Sequence, residues 1–274
     1  MNYIKITIKI KDKPPFFMGS QIRGAFGVAL KKIVCLNPPN KHGVCILKEN
    51  CLYCAFFEIK NTISTYRLDF KLGAREYDFN MYLFNRATKE LPYALSALLE
   101  MLKNIGLGKE KKTYEDFSML INDENCLNGE EISLPKNSQQ IFSIKERFEN
   151  IILEFVTPLR IKKDNRFLRD AKNLELKDLI NSIYQRQMKL LNRDFKKFPY
   201  EIKGEIIERN LKYLELTRSS NRQKTTMQFG GLVGKMKIKG LNKESFEVLK
   251  LGELIGVGKS CVFGLGKIEV KGLE

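Results

Sequence analysis

Two clusters of residues carry types and spacings that could do chemistry. The denser lies near the C-terminus, where Gly256-Val257-Gly258-Lys259-Ser260 is followed, with five residues between Gly258 and Gly264, by Gly264-Leu265-Gly266. Glycine tolerates positive φ, so such runs let a backbone turn tightly, approach a ligand and present successive N–H groups as an anion-binding nest. A nest with Lys259 beside it suits a phosphate. The alternative, glycines that serve only a tight turn and close packing beside a helix, is natural for one pair and weaker for the doublet. Gly258-Lys259-Ser260 also ends like a nucleotide-binding P-loop, but the glycine that such a loop needs falls on Glu253, and Gly252 is one residue too early. The segment also follows a helical pattern and leads into a strand, the reverse of a P-loop's setting, which argues against ATP.

The second cluster is Cys35, Cys45, Cys51 and Cys54, with His42, the only histidine of the chain, among them. Four of six cysteines in so short a stretch read as a metal site or as reduced thiols rather than a disulfide framework. Tetrahedral zinc accepts thiolate and imidazole alike, so a Cys3His set and a four-cysteine set are both open. The remaining two, Cys126 and Cys261, read as small buried residues.

Basic side chains supply the third feature. The chain of 274 residues has 48 Lys and Arg against 32 Asp and Glu, a net +16. Residues 148–274 hold 26 basic and 16 acidic side chains, against 22 and 16 in residues 1–147. Residues 217–240 carry Arg218, Arg222, Lys224, Lys235, Lys237 and Lys239 with no carboxylate, and residues 160–169 carry five cations and one Asp. Fields of this kind attract a polyanion over about a Debye length, roughly 8 Å at physiological salt. Nucleic acid is the leading candidate partner, with a merely solvated basic face as the competing explanation.

These residues need elements to position them. Residues 3–10 alternate apolar and polar as a half-buried strand; residues 18–34 place Ile22, Phe26, Ala29, Leu30 and Ile33 on one helical stripe. Residues 76–84 alternate again, 91–105 read as an amphipathic helix stopped by Gly106 and Gly108, and 114–121 and 131–134 as strands. In the second half the same reasoning gives strands at 150–160, 212–217, 228–238 and 262–270, and helices at 174–195 and 243–251. The order points to an α+β protein of two tandem ferredoxin-like βαββαβ domains, 1–145 and 146–274, although the halves show no sequence similarity to each other. No apolar run approaches the roughly 18–20 residues of a membrane span, and the N-terminal strand is no secretory segment, so the expectation is a soluble cytoplasmic protein without membrane partners.

Taken together, several motifs resemble a known family. Gly256-x-Gly258-x5-Gly264-x-Gly266, with a basic residue in the interval and Val257 and Leu265 inside the pairs, is similar to the glycine loop of the RAMP superfamily of CRISPR-associated proteins. Thr157-Pro158-Leu159-Arg160 is similar to that family's strand entry into its C-terminal domain. Arg218-Ser219-Ser220-Asn221-Arg222-Gln223, followed by Gly230-Gly231-Leu232-Val233-Gly234, is similar to its hairpin, and Arg23-Gly24-Ala25-Phe26-Gly27 with the cysteines and Phe56-Phe57-Glu58 to the N-terminal signature of one branch. The combination looks most like the stand-alone endoribonucleases that cut precursor CRISPR RNA.

That resemblance implies two RRM/RAMP-type domains and cleavage of CRISPR repeat RNA without a metal cofactor. The ribose 2′-OH attacks the adjacent phosphate and leaves a 2′,3′-cyclic phosphate and a 5′-OH. A base, an acid and cations around the phosphorane are needed. His42 stands about where His-dependent members place their base, since an imidazole can act at neutral pH without a large shift. Lys48 would assist; Arg218, Ser220, Arg222, Gln223 and Lys224, with Arg23 and the glycine loop (Gly256, Gly258, Lys259, Gly264, Gly266), would hold RNA. In the branch's cysteine pattern His42 occupies a ligand position, whereas Cys35, Cys45, Cys51 and Cys54 would hold a structural zinc and leave His42 free. The competing expectations are a non-catalytic RAMP subunit that binds guide RNA beside other effector subunits, and a small-molecule binder that uses the glycine loop. Stacking of bases on Tyr213, Phe229 or Phe263 competes with a core role for each, and a homodimer stays open.

Overall fold

The computed structural model describes residues 1–36, 49, 51–58, 63–129, 131–194, 196–220 and 225–273, with backbone alone at 218–220 and 225–227. The chain forms two compact units, Met1–Ile141 and Phe142–Glu274. In the first, β1 (Asn2–Ile10), α1 (Gly19–Val34), α2 (Leu52–Phe57), β2 (Tyr66–Phe70), β3 (Tyr77–Phe84), α3 (Leu91–Glu100) and β4 (Ser118–Ile121) follow in order. The sheet runs β2-β3-β1-β4, all neighbours antiparallel. Ile4, Ile6, Ile8 and Ile10 of β1 are buried, as their period-two spacing requires, with Ile22, Phe26, Ala29 and Leu30 of α1 and Ala94, Leu95 and Leu98 of α3. Ile33, expected on the same stripe, is instead 36% exposed.

In the second unit β5 (Ile151–Leu159), α4 (Leu176–Leu190), β6 (Glu205–Leu214), β7 (Gly231–Lys239), α5 (Lys243–Ile255) and β8 (Ile268–Gly272) repeat the scheme. The sheet runs β6-β7-β5-β8, again antiparallel throughout. Each unit is therefore a βαββαβ ferredoxin-like domain whose first strand lies between its third and fourth.

Several elements differ from the sequence expectation. β2 is absent from the sequence reading. Its Tyr-Arg-Leu-Asp-Phe segment carries two charges, yet all five residues are buried, because Arg67 Nη2 pairs with Asp69 Oδ2 at 3.3 Å and the guanidinium lies 5.4 Å from the Tyr82 ring centre. β6 begins at Glu205 rather than 212; it is an edge strand with Glu205, Glu208, Arg209 and Asn210 exposed, so its apolar alternation is faint. Thr217–Ser220 and Thr225–Gln228 form a separate antiparallel ribbon, and residues 131–132 pair with 127–128 outside the sheet. The helix expected at 91–105 passes at Met101 into a π turn that stops at Gly106.

α4 starts with a reciprocal capping box in which Glu175 and Asp178 exchange hydrogen bonds with each other's backbone. Lys163 Nζ, 2.6 Å from Glu175, and Lys177 draw the Glu175 carboxyl down to about 2. A depressed carboxyl contributes stability that is complete above its ordinary value and is lost as pH falls through the lowered one. The melting-temperature difference between wild type and Glu175→Gln should therefore be constant at pH 5–7 and vanish on acidification from about 4.5 to about 2. Thermal unfolding at stepped pH measures it.

Candidate nucleic-acid interface

The glycine-rich segment connects α5 to β8. α5 ends at Gly256, φ 79°, and the Ile255 carbonyl at its C-terminus accepts 2.6 Å from Nε of the buried Arg186 on α4. A cation is favoured there by the negative end of the helix dipole. The loop then lies along the end of β5. Val257 N–H donates to Gly266 O at 2.9 Å, Gly266 N–H to Pro158 O at 3.1 Å and Lys259 N–H to Arg160 O at 2.8 Å. Thr157, wholly buried, closes the arrangement: its hydroxyl donates to Gly264 O at 2.8 Å and accepts from Lys267 N–H at 2.9 Å. Gly258 N–H donates to Ser182 Oγ of α4 at 3.0 Å.

This geometry corrects the nest expected from sequence. The N–H groups of Gly256, Val257, Gly258, Lys259, Gly264, Gly266 and Lys267 all take acceptors within the protein. The glycines are needed because the chain crosses itself. At φ 70°, a Cβ on Gly266 would sit 1.9 Å from Val257 O, and at φ 77° one on Gly258 would sit 2.5 Å from Arg160 O. Of this loop's expected RNA contacts, Lys259 remains exposed and pairs with no carboxylate among the described residues, while Gly264 and Gly266 are buried.

Arg160 is the hub beside the loop. It is 8% exposed; its Nη1 donates to Gln228 O at 2.9 Å, and its guanidinium lies 4.3 Å from the Phe167 ring centre and 5.0 Å from that of Phe229. Burial pushes its pKa down, and the nearby Tyr213 and Glu215 pull it back up. Phe229 in turn meets Phe263 of the glycine loop with centroids 4.8 Å apart. Phe229 thus serves packing rather than an open stacking surface, while Tyr213, half-buried, faces Arg169 at 5.4 Å. Arg160 ties together the base of the 217–228 ribbon, the short Lys162–Lys163/Arg166–Phe167 hairpin and the glycine loop.

The basic stretches divide once they are placed in space. Lys235 and Lys237 of β7, in a stretch without a carboxylate in sequence, meet Glu154 at 3.6 Å and Glu208 at 2.6 Å on neighbouring strands. Lys162, Arg166, Arg169 and Lys259 have no carboxylate partner among the described residues. For the ribbon, Arg218 and Ser220 are located by backbone on the strand Thr217–Ser220, whereas Arg222, Gln223 and Lys224 lie outside the described residues.

In the first unit, Arg23 of α1 lies 4.6 Å from the Phe57 ring centre and beside Tyr66; burial pushes the Tyr66 phenol up and Arg23 partly offsets it. Gly27 of the same motif lets α2 approach, since a Cβ there would meet the Phe57 ring at 2.8 Å. His42, Lys48 and Cys45 lie outside the described residues. Cys35, Cys51 and Cys54 carry no disulfide, and no three metal-ligating side chains come together among the described residues.

Three positioning residues escaped the sequence reading. Thr157 stood inside a recognisable motif, but nothing in its spacing named the glycine loop as its partner. Ser182 and Arg186 lie on a helix where Arg186 falls on the buried stripe, and a cation on such a stripe is the one signal that could have marked it.

Residues 3–141 match a family model described as an N-terminal domain (AF_1859_N), and residues 153–268 match the model of the CRISPR-associated endoribonuclease Cas6. An uncharacterised protein of Archaeoglobus fulgidus is 25% identical over 281 residues, covering 94% of this chain and 92% of that one. Among solved structures, a Cas6 product complex aligns at TM-score 0.57 and 16% identity over 99% of both chains. Thermus thermophilus Cas6 aligns at 0.54 and 14%, over 99% of this chain and 98% of that one. At these identities the solved structures share the double ferredoxin-like fold.

The clamp between Thr157 and the loop predicts specific costs. Thr157→Val strands the Gly264 carbonyl and the Lys267 N–H, and each orphaned buried group costs about 1–3 kcal/mol. Gly266→Ala forces the loop off β5. Urea unfolding should show both variants losing at least about 2 kcal/mol, with Thr157→Ser close to wild type.

Proposed function

We propose that the chain, whose residues 153–268 match the model of the CRISPR-associated endoribonuclease Cas6, is a Cas6-type RAMP endoribonuclease that binds precursor CRISPR RNA in the cytoplasm and cuts it within the repeat without a metal ion. The observation that carries this reading lies in the segment matching the endoribonuclease model. Lys162, Arg166 and Lys259 flank Arg160 and its rings, Arg169 lies against Tyr213, and none of the four is neutralised by a carboxylate among the described residues. Cations left unpaired and gathered around one buried guanidinium are what a phosphate backbone requires.

In the proposed reaction His42 removes the proton from the 2′-OH next to the scissile phosphate. The 2′ oxygen forms a bond to phosphorus, the P–O5′ bond breaks, and a proton from an acid, with Lys48 the candidate, goes to the departing 5′ oxygen. Arg218, Arg222 and Lys224 offset the charge that grows on the phosphorane. Nothing in this sequence of steps calls for a metal.

Purified protein incubated with its cognate repeat RNA in EDTA should give products ending in a 2′,3′-cyclic phosphate and a 5′-OH. His42→Ala should lower the cleavage rate about 10²–10⁴-fold, with RNA affinity and melting temperature unchanged. Absence of cleavage by wild type on the cognate repeat overturns the enzymatic reading and leaves a guide-binding subunit. Loss of bound zinc and of stability in His42→Ala would instead make the imidazole a ligand.

A further inference from the structure

The hairpin that follows β5 presents an aromatic ring that the fold does not need for its core. Lys162–Lys163 pairs with Arg166–Phe167 around a two-residue turn in which Asp164 (φ 51°) and Asn165 (φ 60°) are both left-handed, the geometry of a tight hairpin. Phe167 is 36% exposed at its end. The ring is nonetheless fixed. Arg160 lies 4.3 Å from its centre and is itself held by Gln228 O and Phe229, while Lys162, its cross-strand neighbour, is 5.3 Å away. A buried charged side chain therefore orients an exposed apolar one, which is costly unless the ring is used. Beside it opens a cavity of about 720 Å³ lined by Arg166, Phe167, Leu168 and Arg169 among others.

The charges around the ring decide what it fits. Lys163 is paired with Glu175, and two carboxylates, Asp164 in the turn and Asp170, which accepts from the Lys172 N–H at 2.9 Å, also line the cavity, so the remaining cations at the ring and cavity, Arg160, Lys162, Arg166 and Arg169, outnumber the acids there. Lys162, Arg166 and Arg169 have no carboxylate partner among the described residues. An open ring bordered by unpaired cations binds a flat apolar face carried on an anionic backbone, and single-stranded nucleic acid has that composition. A basic or neutral peptide lacks the anions, and a folded duplex hides its base faces.

We propose that Phe167 is a stacking platform for one unpaired base of the bound RNA, with Arg166 and Arg169 on the flanking phosphates and Arg160 as the residue that positions the ring. This rests on the chain being an RNA-binding Cas6, and it adds a single-stranded contact at a defined place in the second unit. The platform acts in binding, so it needs no cleavage step to be observed.

The chain contains no tryptophan, so Phe167→Trp introduces a single reporter. Its fluorescence should be quenched saturably by oligouridylate and left unchanged by an abasic oligoribose phosphate of equal length, which offers the same charge and no base. Phe167→Ala should weaken oligouridylate binding about tenfold, with Phe167→Tyr restoring it. Arg166→Ala and Arg169→Ala should weaken both oligomers alike and lower the slope of log affinity against log salt by about 0.7 each. Equal quenching by the abasic oligomer, or unchanged affinity in Phe167→Ala, overturns the platform while cleavage of repeat RNA by wild type leaves the family function standing. Failure of wild type to bind any RNA removes both.

Discussion

The second unit depends on one constraint: the α5–β8 connection is strapped to the last residues of β5. Thr157, Pro158 and Arg160 offer a hydroxyl and two carbonyls, and Gly264, Gly266, Lys259 and Lys267 meet them. These are two motifs over a hundred residues apart in sequence and one object in space. Because the strap is mainly backbone to backbone, any side chain at Gly258 or Gly266 would collide with a carbonyl rather than with a movable group. That explains glycine at these positions without invoking a ligand. It also moves the anion chemistry from the loop's amides to the side chains that the strap holds in place.

Arg160 extends the same constraint outward. A buried guanidinium is expensive to desolvate, and the protein offsets this with a carbonyl at 2.9 Å and two aromatic faces rather than with a carboxylate. The choice has an electrostatic consequence. Direct pairing with Asp or Glu would cancel the charge, whereas a neutral carbonyl and two rings, with Glu215 acting through space without an ion pair, leave positive potential beside Lys162, Arg166 and Lys259. Structural anchoring and attraction of a polyanion are then served by one side chain. Arg186 anchors the other side of the loop, where its Nε donates to the Ile255 carbonyl at a helix C-terminus.

Legibility in the sequence followed the strength of the local signal. β1, α1 and α5 were plain because apolar periodicity and burial coincide in them. β2 was hidden because its Arg67 and Asp69 look like solvent-facing residues until each is seen to pair with the other inside the unit. β6 was blurred by the charges that protect an edge strand. The glycine loop is legible as a motif, yet its amides are taken by acceptors, Pro158 O, Arg160 O and Ser182 Oγ, at distant positions that no spacing rule connects. Phe167 was passed over as one apolar residue within a run of cations. The carboxylate-free stretch at residues 217–240 shows the converse error, since Glu154 and Glu208 reach Lys235 and Lys237 from adjacent strands.

The two halves, dissimilar in sequence, keep the same backbone solution at the same topological place. After α3 the chain stops at Gly106 with φ 76° and ψ 164°, and after α5 at Gly256 with φ 79° and ψ 163°. Each is followed by a buried aliphatic residue, Leu107 or Val257, and then by a second left-handed glycine, Gly108 or Gly258. The second glycine lies beside the unit's first helix in both cases, against Gln21 of α1 and Ser182 of α4. The divergence begins one step later. Leu107 closes at once on Lys112 through paired backbone bonds, whereas Val257 closes on Gly266, nine residues on, across a loop that carries Lys259 and Phe263. The same turn thus closes over a short span in one unit and over a longer loop in the other, which carries an exposed lysine. The ribbon at 217–228 and the hairpin at 162–167 are likewise additions in connections, outside the repeated sheet. The unpaired cations Lys162, Arg166, Arg169 and Lys259 of the second unit thus lie in the connections between elements of a twice-used core, and the core fixes where those connections begin and end.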